Sequence, residues 1–459
     1  MPYTTHVRFD ELFDESMDYL PAVEGGERLS SSGPEGGSEG LPAGQDQPGR
    51  RRFPTGGGVY LLTDAEDRFI QLAAAADLKR ALTNRLAEPS TSDEAAGQRP
   101  PQNAPSMTGA EEAGATPMAG QSAGLPPAPQ LRRPRADLRE IVRRIRWRPA
   151  HSMFEITLEY HRIARLLMPD GYLKQVGFGP CWFVHVDPAA PIPRFQSGKL
   201  LRSPPGVDLG PFATQADAGR FIEILEDAFD LCRYYHILQQ APGGQACAYF
   251  DMGKCPAPCN GSISMDAYRG MIGRALAFVC GDRQEAYRGW EAAMRAAAGQ
   301  RAFERAGAIK QLIERARRIE HEAYRFVRPI EGFRYLVVQR GEGSTKVKPF
   351  FVRAEDLVSG PAVRLKELAE AVPGWIEQTR AALSAETDTN LRSERIWLVS
   401  HFLFKREPPG LFIHADSLGG PEDVAERIRA HFASRKTEEL RDLGGEQGEE
   451  AAEGEQGRG

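Results

Sequence analysis

The apolar positions of this chain fall in short blocks separated by two long polar stretches. Gly58-Val59-Tyr60-Leu61-Leu62 and Phe69-Ile70-Gln71-Leu72 flank the turn-forming Asp64-Ala65-Glu66-Asp67 and predict a hairpin. Leu78, Leu82 and Leu86 recur at four-residue spacing and predict a helix over Ala74 to Leu86. A further helix is predicted from Asp137. There Asp137-Leu138-Arg139-Glu140 has the form of a capping box, and Leu138, Ile141, Val142 and Ile145 make an apolar stripe. A strand over Trp147 to Ala150 follows, then a helix from Met153 to Met168 stopped by Pro169-Asp170-Gly171, and a strand at Trp182 to Val186. A long helix is predicted over Thr214 to Leu238, with Phe221, Ile222, Leu225, Phe229 and Cys232 on its inner side. Residues 264–325 predict two or more antiparallel helices. From Arg328 the pattern returns to strands at Phe333 to Gln339 and Phe350 to Val352, a helix at Ala362 to Leu383, and strands at Arg395 to Phe404 and Gly410 to His414. The fold class is α+β.

The polar stretches set the domain plan. Residues 24–52 and 88–135 hold almost no large apolar side chain, so they cannot offset chain entropy and are predicted to be disordered. The plan is a largely disordered region 1–53, a small module formed by 54–87 and 136–200, and a cysteine-rich region 201–263. A helical region 264–327, an α+β domain 328–436 and an acidic solvated tail 437–459 complete it.

A chain of 459 residues has room for two or three domains. Its net charge of −5 gives no global attraction to nucleic acid, so any basic surface must be local. One such group exists: Arg132, Arg133, Arg135, Arg139, Arg143, Arg144, Arg146 and Arg148. It suits contact with DNA phosphates; a solvated helix face beside a polar linker would look the same. Met1 to Leu20 is acidic and reads as neither signal nor transit peptide. No run approaches the roughly 20 apolar residues that span a bilayer, which predicts a soluble, cytoplasmic protein with no membrane partner.

Of six cysteines, four lie within residues 232–259: Cys232, Cys247, Cys255 and Cys259. Pro256 and Pro258 sit between the last two and hold the backbone irregular. Four converging thiolates suit an iron–sulfur cluster or a zinc ion. Cys181 and Cys280 are isolated and predict buried small hydrophobes. His151, His161 and His185 are dispersed and make no ligand set.

The order of these elements resembles the N-terminal part of UvrC, the excinuclease subunit of bacterial nucleotide-excision repair, over residues 54–325. Gly58-Val59-Tyr60 resembles the "GIY" strand of a GIY-YIG module, and Asp77-Leu78-Lys79-Arg80 the segment after "YIG". The helices predicted from Asp137 to Met168 would complete that module. Gly210-Pro211-Phe212 resembles the family's "GPF" turn, and Cys247-x7-Cys255-x3-Cys259 its cluster-binding loop. The resemblance implies a [4Fe–4S] cluster on Cys232, Cys247, Cys255 and Cys259, with zinc the alternative. Met294, Phe303-Glu304-Arg305-Ala306 and Ile309-Lys310 resemble the UVR motif, which implies a UvrB-type partner for Met294, Phe303, Glu304, Ala306 and Ile309. It also implies DNA as a partner, for which the local basic charge makes Arg139, Arg143, Arg144, Arg146 and Arg148 the candidate contacts.

The departures bear on catalysis. The second tyrosine of the module falls on Gln71, the following glycine and lysine on Ala73 and Ala74, and the phosphate-clamping arginine on Ala81. The metal-binding glutamate falls on Tyr160, or on Glu159 with a shift of one. Losing such a charge clamp removes several kcal/mol of transition-state stabilisation. The expectation is a UvrC-like repair protein that keeps the cluster and has lost incision chemistry, with Tyr60 as the residual catalytic candidate. Residues 328–459 do not read as a ribonuclease-H-like nuclease. The alternatives are a divergent GIY-YIG endonuclease using Glu159, Arg80 or Arg85, and a zinc-stabilised adaptor.

Overall fold

The computed structural model describes residues 8–19, 53–87, 137–202, 204–381 and 388–433. The stretches 24–52, 88–135 and 437–459, with Arg132, Arg133 and Arg135, lie outside the described residues. The chain divides after Ala150 into two compact units.

The first unit opens with a short helix α1 (Phe9–Leu12) and strand β1 (Glu15–Asp18). The predicted hairpin is β2 (Gly58–Thr63) and β3 (Phe69–Ala75), followed by α2 (Leu78–Arg85) and β4 (Arg144–Pro149). The strands form one antiparallel sheet in the order β1-β4-β2-β3. Asp77 caps α2 by accepting from the Arg80 N–H, and Leu78, Leu82 and Leu86 pack with Tyr60, Leu62, Ile145 and Trp147. Gly58 is required where it stands, because a Cβ there would lie 2.3 Å from the Arg148 carbonyl oxygen.

The helix predicted from Asp137 is not formed. Residues 139–141 make a turn, and the chain then runs as β4. The deciding signal is the alternation Arg144-Ile145-Arg146-Trp147-Arg148. Its period of two aims Ile145 and Trp147 at the α2 side, which no helix could do. The segment 8–19 corrects the expectation of a largely disordered region 1–53: it forms α1 and the edge strand β1, which pairs with β4.

The second unit begins with α3 (Met153–Leu167), capped by Ser152. Next come β5 (Trp182–Val186), β6 (Gln196–Gly198) and β7 (Val207–Phe212). Gly210-Pro211-Phe212, taken as a turn in the sequence, is the end of β7. The predicted helix to Leu238 stops early: α4 covers Gln215–Ala228, and Asp230 takes a left-handed φ of 51°. Cys232 therefore lies beyond the helix, not on its inner face. Two short helical turns, α5 (Tyr235–Leu238) and α6 (Ala248–Asp251), lie in the cysteine region. The helical region holds α7 (Met265–Cys280), α8 (Arg283–Gly299) and α9 (Phe303–Ala316), then β8 (Arg328–Pro329) completes a sheet ordered β6-β5-β7-β8. Phe221, Leu225, Ile272, Phe278, Ile313 and Ala316 join this sheet and these helices in one core.

The C-terminal part contains β9 (Tyr335–Arg340), β10 (Lys346–Val352), β11 (Leu357–Ser359) and β12 (Val363–Arg364). Helices α10 (Leu368–Arg380) and α11 (Thr389–Leu403), strand β13 (Leu411–His414) and helix α12 (421–433) follow. The main path of the sheet is β11-β10-β9-β13, with β12 on β10. Alternate residues of β9 enter different cores: Tyr335 and Val337 meet Phe154, Phe402 and Ile396, while Leu336 and Val338 meet Val372, Ile376 and Ile428. A sheet covered on both faces reads as a continuous apolar run, as Tyr335 to Val338 does.

Two sequence expectations are corrected here. Arg395 to Phe404, predicted as a strand, belongs to α11. Ile396-Trp397-Leu398-Val399 is apolar on every side because the helix is buried all round, which erases the period. Asp388 caps it by accepting from Asn390 and Leu391 N–H. Second, α3 does not complete the first module: it packs in the second unit. Phe154 makes edge contacts with Phe350, Phe402 and Phe412 at 5.2, 5.3 and 5.9 Å. His161 Nε2 lies 2.9 Å from Glu394 on α11, and the Tyr172 hydroxyl donates to the same carboxylate at 2.7 Å. Phe154→Ala should therefore destabilise the second unit by about 3–5 kcal/mol, measured by denaturant unfolding of the chain through its near-ultraviolet circular dichroism.

Candidate functional site

The region between α4 and α7 has little regular structure. Among its described residues there are two four-residue helical turns and a 3₁₀ turn at Pro258–Asn260. Gly253 and Gly261 have φ of 65° and 80°, and Ala257 is held at 51° between its two prolines. Backbone of this kind is not self-supporting, so side chains must tie it down.

Cys232, Cys247, Cys255 and Cys259 all lie in this region. The neighbouring Cys232 thiol holds Cys255 down at about 6, and the Arg233 guanidinium acts in the same direction; the Cys232 thiol itself donates to the Tyr234 carbonyl at 3.7 Å. Cys255 beside it, with burial, pushes Cys232 up. Burial raises Cys259, as do the charges of Cys255 and Cys247. Cys232 and Cys255 thus neighbour one another, and Cys255 and Cys247 both act on Cys259. Cys255 and Cys259 are buried, and Cys232 and Cys247 are half-buried.

Two residues that sequence spacing did not single out hold the group. Tyr268 of α7, itself buried, accepts the Cys232 backbone N–H at 3.2 Å. Arg233 is ion-paired with Asp227 of α4, donates to the Lys254 carbonyl at 3.2 Å, and lies 4.4 Å over the Tyr249 ring. It thereby ties the helix end to both arms of the loop. The Gly244 N–H donates to the Cys259 carbonyl at 2.9 Å and closes the base. No motif predicts these roles, since Tyr268 acts across 36 residues of sequence.

A soft, all-thiol donor set suits iron–sulfur or zinc chemistry. Among the described residues, no three His, Cys, Asp or Glu side chains already stand where they would close on one metal ion. The donor chemistry fits such a group, whereas the spacing is not preset for a single ion.

The remaining predicted residues are dispersed. Cys181 is buried as expected, but Cys280, at the end of α7, is exposed. Tyr60 is 4% exposed and packs in the core beneath α2. Gln71 accepts from Arg85 Nε at 2.7 Å. Arg139 pairs with Asp137, and Arg143 donates to the Val142 carbonyl. Arg144, Arg146 and Arg148 lie on a strand, not a helix face, and carboxylates meet all three. On α8 and α9, Met294, Ala306 and Ile309 are half-buried, Glu304 is exposed, and Phe303 is 69% exposed.

Residues 181–278 match the family described as UvrC/Cho excinuclease, middle domain, and this match contains all four clustered cysteines. The chain is UvrC-like. It is 29% identical over 145 residues to the UvrABC system protein C of Syntrophotalea carbinolica, covering 30% of this chain and 23% of that protein. Identity to the same protein of Desulforudis audaxviator is 32% over 103 residues, or 22% and 16% of the two chains. For Brucella abortus it is 30% over 155 residues, or 33% and 25%. The match therefore spans a quarter or less of these relatives. No solved structure matches. Among the described residues, no helix of this UvrC-like chain is long and apolar enough to cross a membrane.

The tie made by Arg233 is directly testable. In Arg233→Gln, chymotryptic cleavage at Tyr234, Tyr249 and Phe250 should rise several-fold in limited digestion. Cleavage in the C-terminal sheet should stay unchanged.

Proposed function

We propose that this UvrC-like chain is a nucleotide-excision-repair-related protein whose middle domain holds a [4Fe–4S] cluster on Cys232, Cys247, Cys255 and Cys259, with DNA and a UvrB-type protein as partners. The observation that carries the reading is that all four clustered cysteines, with Cys232 and Cys255 neighbouring one another, fall inside the stretch that matches the UvrC/Cho middle domain. A cluster bonds each thiolate to a different iron, so it suits sulfurs that neighbour one another without meeting at a point. When bound, it supplies cross-links to a loop that has few of its own. Around it, Arg233 offsets thiolate charge and Tyr268 fixes the backbone of Cys232. Zinc is the alternative occupant.

The same reading assigns incision chemistry no role. Tyr60 is buried against α2, and the position of the phosphate-clamping arginine is Ala81, half-buried in the same core. The exposed Phe303, at the start of α9, offers an apolar anchor for a partner hairpin.

Anaerobically purified protein should contain about four iron and four sulfide per chain and show a broad visible absorption band. Replacing Cys255 and Cys259 by serine should abolish both. Stoichiometric zinc without sulfide would select the alternative, and a folded protein with no metal would refute both. In a nicking assay with divalent metal, the chain should show no cleavage that Tyr60→Phe removes.

A further inference from the structure

Two clefts of about 580 and 570 Å³ adjoin on the second unit. The first lies at the corner between α7 and α8, against Arg325, Val327 and β8. The second reaches from Glu331 to Arg380, the last residue of α10, and to Ala415 just beyond β13. Gly332 and Asp416 line both, so the two make one groove. Five arginines line it: Arg283, Arg325 and Arg328 in the first part, Arg334 and Arg380 in the second.

Among the described residues, four of these guanidinium groups hydrogen-bond only to backbone carbonyls and pair with no carboxylate. Arg283 Nη2 donates to Val327 at 3.4 Å, Arg328 Nε to Phe326 at 3.4 Å, Arg334 Nη1 to Arg380 at 3.5 Å and Arg380 Nη2 to Leu418 at 2.8 Å. Arg325 differs, being ion-paired with Glu322 at 2.7 Å. A guanidinium carries five N–H donors, so most of each fork is left for a ligand. Arg283 is half-buried, and burial, with the like charge of Arg328 acting in the same direction, holds it below the usual arginine range. An anion that reached both would relieve that cost. Three carboxylates also line the groove. Asp282 is committed to capping α8, accepting from the Gln284 and Glu285 N–H at 2.8 and 3.2 Å. Glu331 and Asp416 are exposed.

We propose that this groove is a binding track for the phosphate backbone of nucleic acid, with Arg283, Arg328, Arg334 and Arg380 as its cations. Each cleft alone has the size of a small-ligand site, but joined they suit a chain of anions. Guanidinium forks match phosphate oxygens in shape and charge, and a polyanion adds the entropy of released counterions. The lining includes no aromatic ring on which a base could stack, so the contact is with the backbone and is independent of sequence. This deepens the reading of DNA as a partner, on which it rests, and is independent of the metal.

The test measures binding of a labelled DNA duplex to the full chain across a range of salt. R328Q/R334Q/R380Q should weaken binding about ten-fold at low salt and make the log–log salt slope shallower by about 3, one phosphate contact for each guanidinium removed. Lysine at the same three positions should restore the slope. Asp416→Asn removes a repelling charge from the shared part of the groove and should tighten binding. Arg364→Gln, an exposed arginine on β12 outside the groove, should leave it unchanged. Should the triple variant not fold, Arg380→Gln alone removes an exposed cation and should lower the slope by about 1. If the parent binds DNA and the folded glutamine variants bind with the same affinity and slope, the groove is overturned and the DNA reading stands. A parent that binds no DNA would overturn both. Poly-glutamate binding to these arginines more tightly than DNA would overturn the proposal in favour of an acidic peptide. The iron content of the same samples would still decide the cluster reading separately.

Discussion

The thiol group between α4 and α7 is the interaction on which the middle of this protein depends. Few of the stretch's apolar side chains are buried and most of its backbone is neither helix nor strand, so ordinary core formation cannot hold it. What holds it are links between distant points: Arg233 to Asp227 and Lys254, Tyr268 to the backbone of Cys232, and Gly244 to Cys259. An inorganic centre bonded to all four sulfurs would turn this set of weak links into a covalent brace. Helices α4, α7 and α9 provide the rigid wall behind it through Phe221, Ile272 and Ile313.

Elsewhere the protein is held by ordinary apolar packing, and the contrast is informative. The C-terminal sheet is covered on both faces, and α3 is drawn into its core through Phe154. The first unit is a compact sheet and helix, with Tyr60 buried beneath α2 and Ala81 half-buried in the same core.

Much of this was legible in the sequence. The hairpin at Gly58 to Leu72, the leucine-spaced helix, the strand at Trp182 and the strand at Leu411 all carry clear periodic signals. The clustering of the four cysteines is read directly from the sequence as well, and the group they hold is a proposal. What was not legible had physical causes. The β4 row was hidden by a capping-box pattern that outweighed its alternation. Helix α11 is buried all round and has no apolar stripe. The end of α4 is set by Asp230 in a left-handed conformation, which no residue preference announces. Edge strand β1 is recognisable only through its arginine partners, more than a hundred residues away. Tyr268 and Arg233 act through folding alone.

In the proposed reading, a metal centre on four thiols braces the loop from Cys232 to Cys259. Amide hydrogen exchange of that segment, compared between native protein and a variant with all four cysteines replaced by serine, tests it most directly. The account predicts that protection collapses across residues 229–262 in the variant while β9 and β10 keep theirs. Equal protection in the two proteins would contradict it.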